Sequence, residues 1–113
     1  MTDAAAEGRR RADDLLQLLT AGDETAADRL LSELTDVREL VYAGAGLTAV
    51  ARAEVRSLPP AQRAQANTRQ LRLGILRDAN RSNLEGLRTW LLRAGEEILL
   101  IRAQQAVADS IAR

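Results

Sequence analysis

The sequence contains neither cysteine nor histidine. Without cysteine the chain forms no disulfide and offers no thiolate to a metal ion. Without histidine it has no imidazole general base and no side chain that ordinarily titrates near neutral pH. Redox, zinc-binding and histidine-dependent catalytic functions are therefore excluded by composition.

An excess of one charge sign is also missing. Lysine and arginine number 16, aspartate and glutamate number 16, and the pI is about 6.3. A chain without net charge exerts no general attraction on nucleic acid or on an anionic membrane. The run GRRR at 8–11 is followed at once by Asp13 and Asp14, so we expect no nucleic-acid partner.

Long apolar segments are absent as well. No stretch reaches the roughly 18 apolar residues that a membrane span needs, and the first residues lack the apolar region of a secretion signal. We therefore expect no membrane insertion and a cytoplasmic location.

Aromatic residues make up only 2% of the chain, as Tyr42 and Trp90, whereas 46% of the residues are hydrophobic. The apolar residues are thus mainly aliphatic, which is typical of packed helices, and no segment alternates with the two-residue period of a strand. A chain of 113 residues fits one domain. We predict a single all-α domain over residues 1–113.

Helix breakers are few, and they divide the chain. Proline occurs only at Pro59 and Pro60, and Gly22 followed by Asp23 combines a helix stop with a helix cap. These signals predict three helices, at about 3–20, 23–57 and 61–111. The short connections favour an antiparallel up-down-up bundle, a coiled-coil hairpin with the first helix beside it, whose long third helix partly overhangs.

The predicted second helix carries apolar or small residues at alternating spacings of three and four, which indicates a coiled-coil seam along its whole length. The seam residues are Ala27, Leu30, Leu34, Val37, Val41, Gly44, Thr48, Ala51, Val55 and Leu58. Gly44 would let a partner helix approach closely, and the helix could kink at Gly46.

Two asparagines interrupt the apolar stripe of the predicted third helix. Asn80 and Asn83 fall on the face that should meet the core, where a polar layer would fix the register of helix pairing. A buried amide without a partner would cost roughly 1–3 kcal/mol, so we expect hydrogen bonds to Thr35, Asp36, Arg38 or water. The alternative is that water solvates the two amides and that they have no structural or binding role.

The overhang of the third helix is apolar on the side away from the core stripe. Leu92 and Leu99 recur there at a spacing of seven, flanked by Leu100 and Val107, where a solvated helix would carry charge. An uncovered apolar strip predicts a protein partner. The predicted partner-binding residues are Trp90, Leu91, Leu92, Ile98, Leu99, Leu100, Ile101 and Val107.

The strip could also be covered by the chain itself or by a second copy of it. The third helix could bend back at Gly95, or the first helix could extend further, and either would bury the strip. Two copies of the chain could instead pair through it as a homodimer.

Motifs for catalysis are not found. The paired carboxylates Asp13–Asp14 and Glu96–Glu97 point about 100° apart on a helix and have no evident nucleophile or metal ligand beside them, so we interpret them as solvated charges. We predict a non-enzymatic protein with no catalytic residue, no metal site and no cofactor.

Two stretches resemble a known family. LLQLLTAGDETAADRLLSELTDVREL joins two leucine-rich helices through an Ala-Gly-Asp turn and is similar to the first half of the FlgN/FliT group of flagellar type III export chaperones. LPPAQRAQANTRQLRLGILRDANRSNLEGL is similar to the FlgN pattern that follows, with a Leu-Pro turn, a long helix and an Asn-x-x-Asn pair at Asn80 and Asn83. The resemblance covers about residues 12–95.

The resemblance implies a small cytoplasmic helical chaperone that works without nucleotide. Such a protein holds an unfolded terminal segment of a hook–filament junction or filament-cap client and delivers it to the export gate, and its amphipathic C-terminal helix is the client-binding element. The strip would cover client residues that otherwise aggregate or assemble early. The alternatives are a coiled-coil dimerisation scaffold and a helical adaptor.

Overall fold

The computed structural model describes residues 3–112, and within them the chain forms five α-helices and no strand. The helices are α1 (Ala4–Thr20), α2 (Glu24–Glu33), α3 (Val37–Val55), α4 (Pro60–Ala79) and α5 (Leu84–Ala112). The predicted all-α class is confirmed. The predicted three-helix arrangement is not, because the second and third predicted helices are each divided in two.

The turn between α1 and α2 follows the predicted signals. Gly22 has a φ of 74°, its amide donates to the Leu19 carbonyl at 3.0 Å, and the amide of Asp23 donates to the Leu18 carbonyl at 3.0 Å. This pattern is a Schellman motif, in which the left-handed residue favours glycine. The Asp23 carboxylate then accepts from the amide of Ala26 at 3.0 Å and caps α2.

The second predicted helix is interrupted between α2 and α3. Leu34 adopts an extended backbone with φ −84° and ψ 96°. The Asp36 carboxylate accepts from the amide of Arg38 at 2.9 Å, and Glu39 lies in the first turn of α3. An aspartate cap followed three residues later by glutamate resembles the capping box that starts helices, so the break has a local chemical cause.

The predicted seam is largely buried in α3. Gly44, Ala51 and Val55 are buried, and Val37 packs against the main core. The exception is Val41, which is 42% exposed, whereas its neighbour Leu40 and Leu47 are almost fully buried.

The third predicted helix is interrupted at the two asparagines. The amide of Asn80 donates to the Arg77 carbonyl at 3.0 Å and its side-chain Nδ2 donates to the Leu76 carbonyl at 2.8 Å. The Oδ1 of Asn83 accepts from the amide of Gly86 at 3.2 Å, as an N-cap does. The prediction of a register-setting polar layer is therefore wrong, because Asn80 ends α4 and Asn83 begins α5.

The chain reverses direction at this second break. Arg69 of α4 pairs with Glu97 of α5, and Ala66, further from the turn, lies in one cluster with Ile101, so α4 and α5 are antiparallel. On α3, by contrast, Gly44 faces Trp90 and Glu54 pairs with Arg102, so α3 and α5 are parallel.

The main core lies where α1, α2 and α3 surround the first half of α5. Its largest fully buried side chains are Leu15, Leu34, Leu40, Leu47, Leu87, Leu91 and Ile98. A smaller cluster of Val55, Leu58, Ala66 and Ile101 joins α4 to the bundle near the proline turn. Helix α4 packs on α5 but scarcely touches α3, and this separation leaves the groove described below.

Two glycines of α3 allow close packing on opposite sides. A Cβ at Gly44 would overlap the indole ring of Trp90, and a Cβ at Gly46 would lie 3.0 Å from the Cβ of Ala12 and 3.2 Å from the carbonyl oxygen of Gly8. The close approach predicted at Gly44 is thus made by a side chain of α5. Helix α3 continues through Gly46, which brings α1 close instead of ending the helix.

Candidate functional site: an apolar groove between α3 and α4

The fold separates the predicted partner-binding residues into three groups. Trp90, Leu91, Ile98 and Ile101 are buried in the protein's own core, with at most 4% exposure. Leu92 and Leu99 are half-buried. Leu100 and Val107 are 43% and 56% exposed. Leu91, Ile98 and Ile101 therefore cannot meet a partner in this fold, whereas Trp90 lines the groove described below.

The reversal of the chain at Asn80–Asn83 explains why predicted partner-binding residues are buried. In a continuous helix over 61–111 the C-terminal half would extend beyond the bundle. Because the chain turns back, α5 instead lies against α1, α3 and α4 for most of its length. Helix α5 is continuous through Gly95, which packs against Leu19 and Leu15 of α1, so the bend considered at Gly95 is not what buries these residues.

A groove of about 600 Å³ runs between α3 and α4 with α5 at its base. Its floor is formed by Leu47, Ala51, Val55, Trp90 and Ala94, and its two sides by Thr48, Arg52, Asn67, Gln70, Leu71, Leu73, Gly74, Ile75, Arg77 and Asp78. We call this the α3/α4 groove. Its floor is apolar, and its sides carry most of its polar groups.

Two large apolar side chains stand at the edge of the α3/α4 groove. Leu71 and Ile75 of α4 are 71% and 70% exposed. Single exposed apolar residues are ordinary on protein surfaces, but residues four apart share one face of a helix. Leu71 and Ile75 therefore supply most of the accessible apolar surface here, since the floor residues Leu47, Ala51, Val55 and Trp90 are at most 5% exposed.

The sequence contained a signal for this surface outside the predicted core stripe. Leu73 and Leu76 of α4 follow that stripe and are half-buried in the structure. Leu71 and Ile75 lie on another side of the same helix, where a solvated helix would be polar. A test for a second apolar face, applied to residues 61–79, would have found them.

Polar contacts join α4 to α5. The Nε of Arg69 donates to the Glu97 carboxylate at 2.6 Å, and a second guanidinium nitrogen donates to the Gln104 side chain at 3.3 Å. Glu97 is only 9% exposed, so its interpretation as a solvated charge is wrong. On the other side of α4, the buried Nε2 of Gln70 has no hydrogen-bond acceptor within residues 3–112.

A smaller groove of about 450 Å³ lies on the other side of α5 and contains the half-buried Leu92 and Leu99. Leu19 and Ala27 complete its apolar surface, and Glu24, Asp28 and Glu96 line it as well. This groove holds the part of the predicted strip that remains accessible beside α1 and α2.

A cluster of metal ligands and a membrane-spanning helix are both absent from the described residues. Between residues 3 and 112, no three acidic side chains come close enough together to hold a metal ion. The paired Asp13 and Asp14 are exposed on α1. None of the five helices combines the length and the apolar character needed to cross a bilayer.

Comparison with known proteins gives no relative, because no protein-family model, no curated protein and no solved structure matches the chain significantly.

Proposed function

We propose that the protein is a non-enzymatic helical module that binds another protein through the α3/α4 groove. The observation that carries this proposal is the pair Leu71 and Ile75, each about 70% exposed at the edge of an apolar floor. Exposed apolar surface of this kind is costly in water and is the usual mark of a protein-binding site. An open groove between helices suits an amphipathic helix laid along it.

The resemblance to flagellar export chaperones supports a more specific form of the proposal. In this form the client is a terminal segment of a hook–filament junction or filament-cap protein, held in the cytoplasm before export. We propose the contact at the α3/α4 groove and not along the C-terminal strip, because the fold itself covers half of the strip.

The first experiment compares two pairs of exposed apolar residues. Leu71→Ser with Ile75→Ser removes the edge of the groove, and Val107→Ser with Ile111→Ser makes the same kind of change at the exposed end of α5. All four side chains are at least 56% exposed, so both variants should melt close to the wild type. Binding of junction and cap segments from the same genome is then measured by calorimetry with the purified protein.

We expect the groove pair to weaken client binding by at least about tenfold, equivalent to about 1.4 kcal/mol, and the α5 pair to leave it unchanged. Loss of binding only in the Val107→Ser, Ile111→Ser variant would show that the client binds at the end of the predicted strip and not in the groove. Failure of all such segments to bind would contradict the export-chaperone form.

Self-association as a scaffold is a second candidate function. It is favoured by Leu100, Val107 and Ile111, which are exposed along the last turns of α5. Sedimentation of the purified protein separates the two candidates. A dimer that the Val107→Ser, Ile111→Ser variant dissociates would support the scaffold.

A further inference from the structure

The charges around the α3/α4 groove are unbalanced. Arg52 lines the α3 side, and Arg77 and Asp78 line the α4 side. Asp78, the only carboxylate lining the groove in the described chain, already lies 3.1 Å from Arg77 and 3.9 Å from Arg81. Arg52 has no carboxylate within ion-pair distance among residues 3–112. The groove therefore offers an incoming chain more positive than negative charge.

The basic character increases toward the proline turn. Arg56 is one helical turn beyond Arg52, and Arg63 is one turn before Asn67, which lines the α4 side. Both arginines are exposed, and neither forms an ion pair among residues 3–112. The nearby Glu54 is engaged by Arg102 at 2.8 Å. Arg56 and Arg63 do not line the groove, but they place uncompensated positive charge next to this end of it.

The same charges argue against a second copy of the chain as the occupant. Helix α4 contains four arginines and one aspartate. Pairing two copies through Leu71 and Ile75 would place two such helices side by side, and like charges brought together in an interface are unfavourable. The composition of α4 therefore selects a partner of opposite charge.

Building on the proposed function, we infer that the occupant of the α3/α4 groove is an amphipathic helix of another protein whose apolar stripe is flanked by carboxylates. The stripe covers Leu71, Ile75 and the groove floor, and the carboxylates face Arg52 and Arg77. The groove side from Asn67 to Asp78 corresponds to about 17 Å of helix. The docked segment is therefore about three turns long.

Trp90 provides a direct signal for the test. It is the only tryptophan of the chain, and it lines the groove floor. Two designed peptides of about 14 residues, without tryptophan or tyrosine, share one leucine stripe and differ only in having glutamate or lysine beside it. Their affinities follow from the change in Trp90 fluorescence at low and at high salt.

We expect the glutamate peptide to bind at least about tenfold more tightly than the lysine peptide at low salt, with the difference shrinking at about 1 M salt because surface charges are then screened. Arg52→Glu with Arg77→Glu should reverse the preference. Arg29→Glu with Arg38→Glu changes the net charge equally with exposed residues outside the groove, and should keep the glutamate preference.

Three outcomes of the peptide experiment would overturn the inference. The peptides could bind equally, the lysine peptide could bind better, or the Arg29→Glu, Arg38→Glu control could lose the preference as fully as the groove variant. Each would show that the groove does not select acidic segments, while client binding lost in the Leu71→Ser, Ile75→Ser variant would still support the proposed function. A wild-type dimer that Leu71→Ser with Ile75→Ser dissociates would also overturn it, because the occupant would then be a second copy.

Discussion

The contact between Gly44 and Trp90 shows how much of this core depends on one missing side chain. A methyl group at position 44 would occupy the same space as the indole ring, whereas a Cβ at Gly74 would meet nothing nearer than a guanidinium nitrogen of Arg77 at 3.8 Å. Both glycines lie inside helices. They differ in their surroundings, so alanine at Gly74 is a matched control for alanine at Gly44.

We predict that Gly44→Ala destabilises the protein by about 1–3 kcal/mol, because the buried Trp90 has to move in a close-packed core. Gly74→Ala should instead be neutral or stabilise by up to about 1 kcal/mol through helix propensity. Urea unfolding of both variants measures the difference. Equal stabilities would mean that the Trp90 ring does not pack against Gly44.

Arg88 has a structural role that its charge alone does not reveal. Its Nε donates to the Leu31 carbonyl at 3.0 Å and a terminal nitrogen donates to the Leu34 carbonyl at 2.9 Å. These carbonyls lie at the end of α2, where a positive charge is favourable, and the Leu31 carbonyl also accepts from the amide of Leu34 at 3.2 Å. The guanidinium therefore fixes the end of α2 to α5.

We predict that Arg88→Met costs about 1.5–3 kcal/mol, the usual worth of hydrogen bonds to a charged group, while Arg93→Met stays within about 0.5 kcal/mol. Arg93 is an exposed arginine of the same helix and forms no ion pair in the described chain. Arg88→Lys should recover only part of the loss, because lysine lacks the planar fork. Thermal melts of the three variants decide this, and equal losses for the two methionine variants would contradict the role.

At the scale of whole helices, the sequence predicts that the chain is helical better than it predicts where each helix ends. The helical class and the Gly22–Asp23 turn were predictable because glycine and aspartate favour these positions for local reasons. The breaks before Val37 and after Ala79 do not show in the periodicity, because the spacing of three and four continues through Leu34 and Val37 at the first break and through Asn80 and Asn83 at the second. Periodicity reports which residues could share a face, but it does not report whether the chain reverses between them.

The candidate site was harder to predict for the same reason. Once Asn80 and Asn83 are placed inside a helix, α5 must overhang and Trp90 would be free to bind a partner. The groove floor exists only because α4 and α5 fold into a hairpin beside α3. Its residues come from three helices, and no local pattern brings Leu47, Leu71 and Trp90 together.

A continuous helix through Asn80 and Asn83 and a helix break at these residues lead to opposite expected effects of substitution. Leucine at both Asn80 and Asn83 would stabilise a helix seam, but in this fold it removes the Asn83 cap and the hydrogen bond from Asn80 to the Leu76 carbonyl. We therefore predict that the double leucine variant loses about 1–2 kcal/mol, and that Asn83→Ala alone loses about 1 kcal/mol. Asn83→Asp should retain stability, because aspartate caps equally well and complements the helix dipole.

Circular dichroism melts test these substitutions, with Asn83→Asp as the matched control. A double leucine variant that melts higher than the wild type would support the seam and contradict the break at residues 80–83.

At the scale of the whole molecule, stability is unevenly distributed. Helix α4 has one fully buried residue, Ala66, and it carries the two buried amide atoms without partners in the described chain, on Gln62 and Gln70. Helices α1, α3 and the first half of α5 share the main core. Helix α4, which forms one side of the groove, thus contributes less to the main core than α1, α3 and α5, which suits a surface that adjusts to a partner.

Hydrogen exchange at peptide resolution tests this distribution. Amides of 64–79 should exchange at least about an order of magnitude faster than those of 88–101, because α4 can open locally while the core requires global unfolding. The first turn of each helix is left out, since its amides lack helical acceptors. Binding of the glutamate-flanked peptide should slow exchange in α4 and leave 88–101 unchanged. Equal protection of the two segments in the free protein would show that α4 unfolds only together with the core, and the groove would then be a rigid surface.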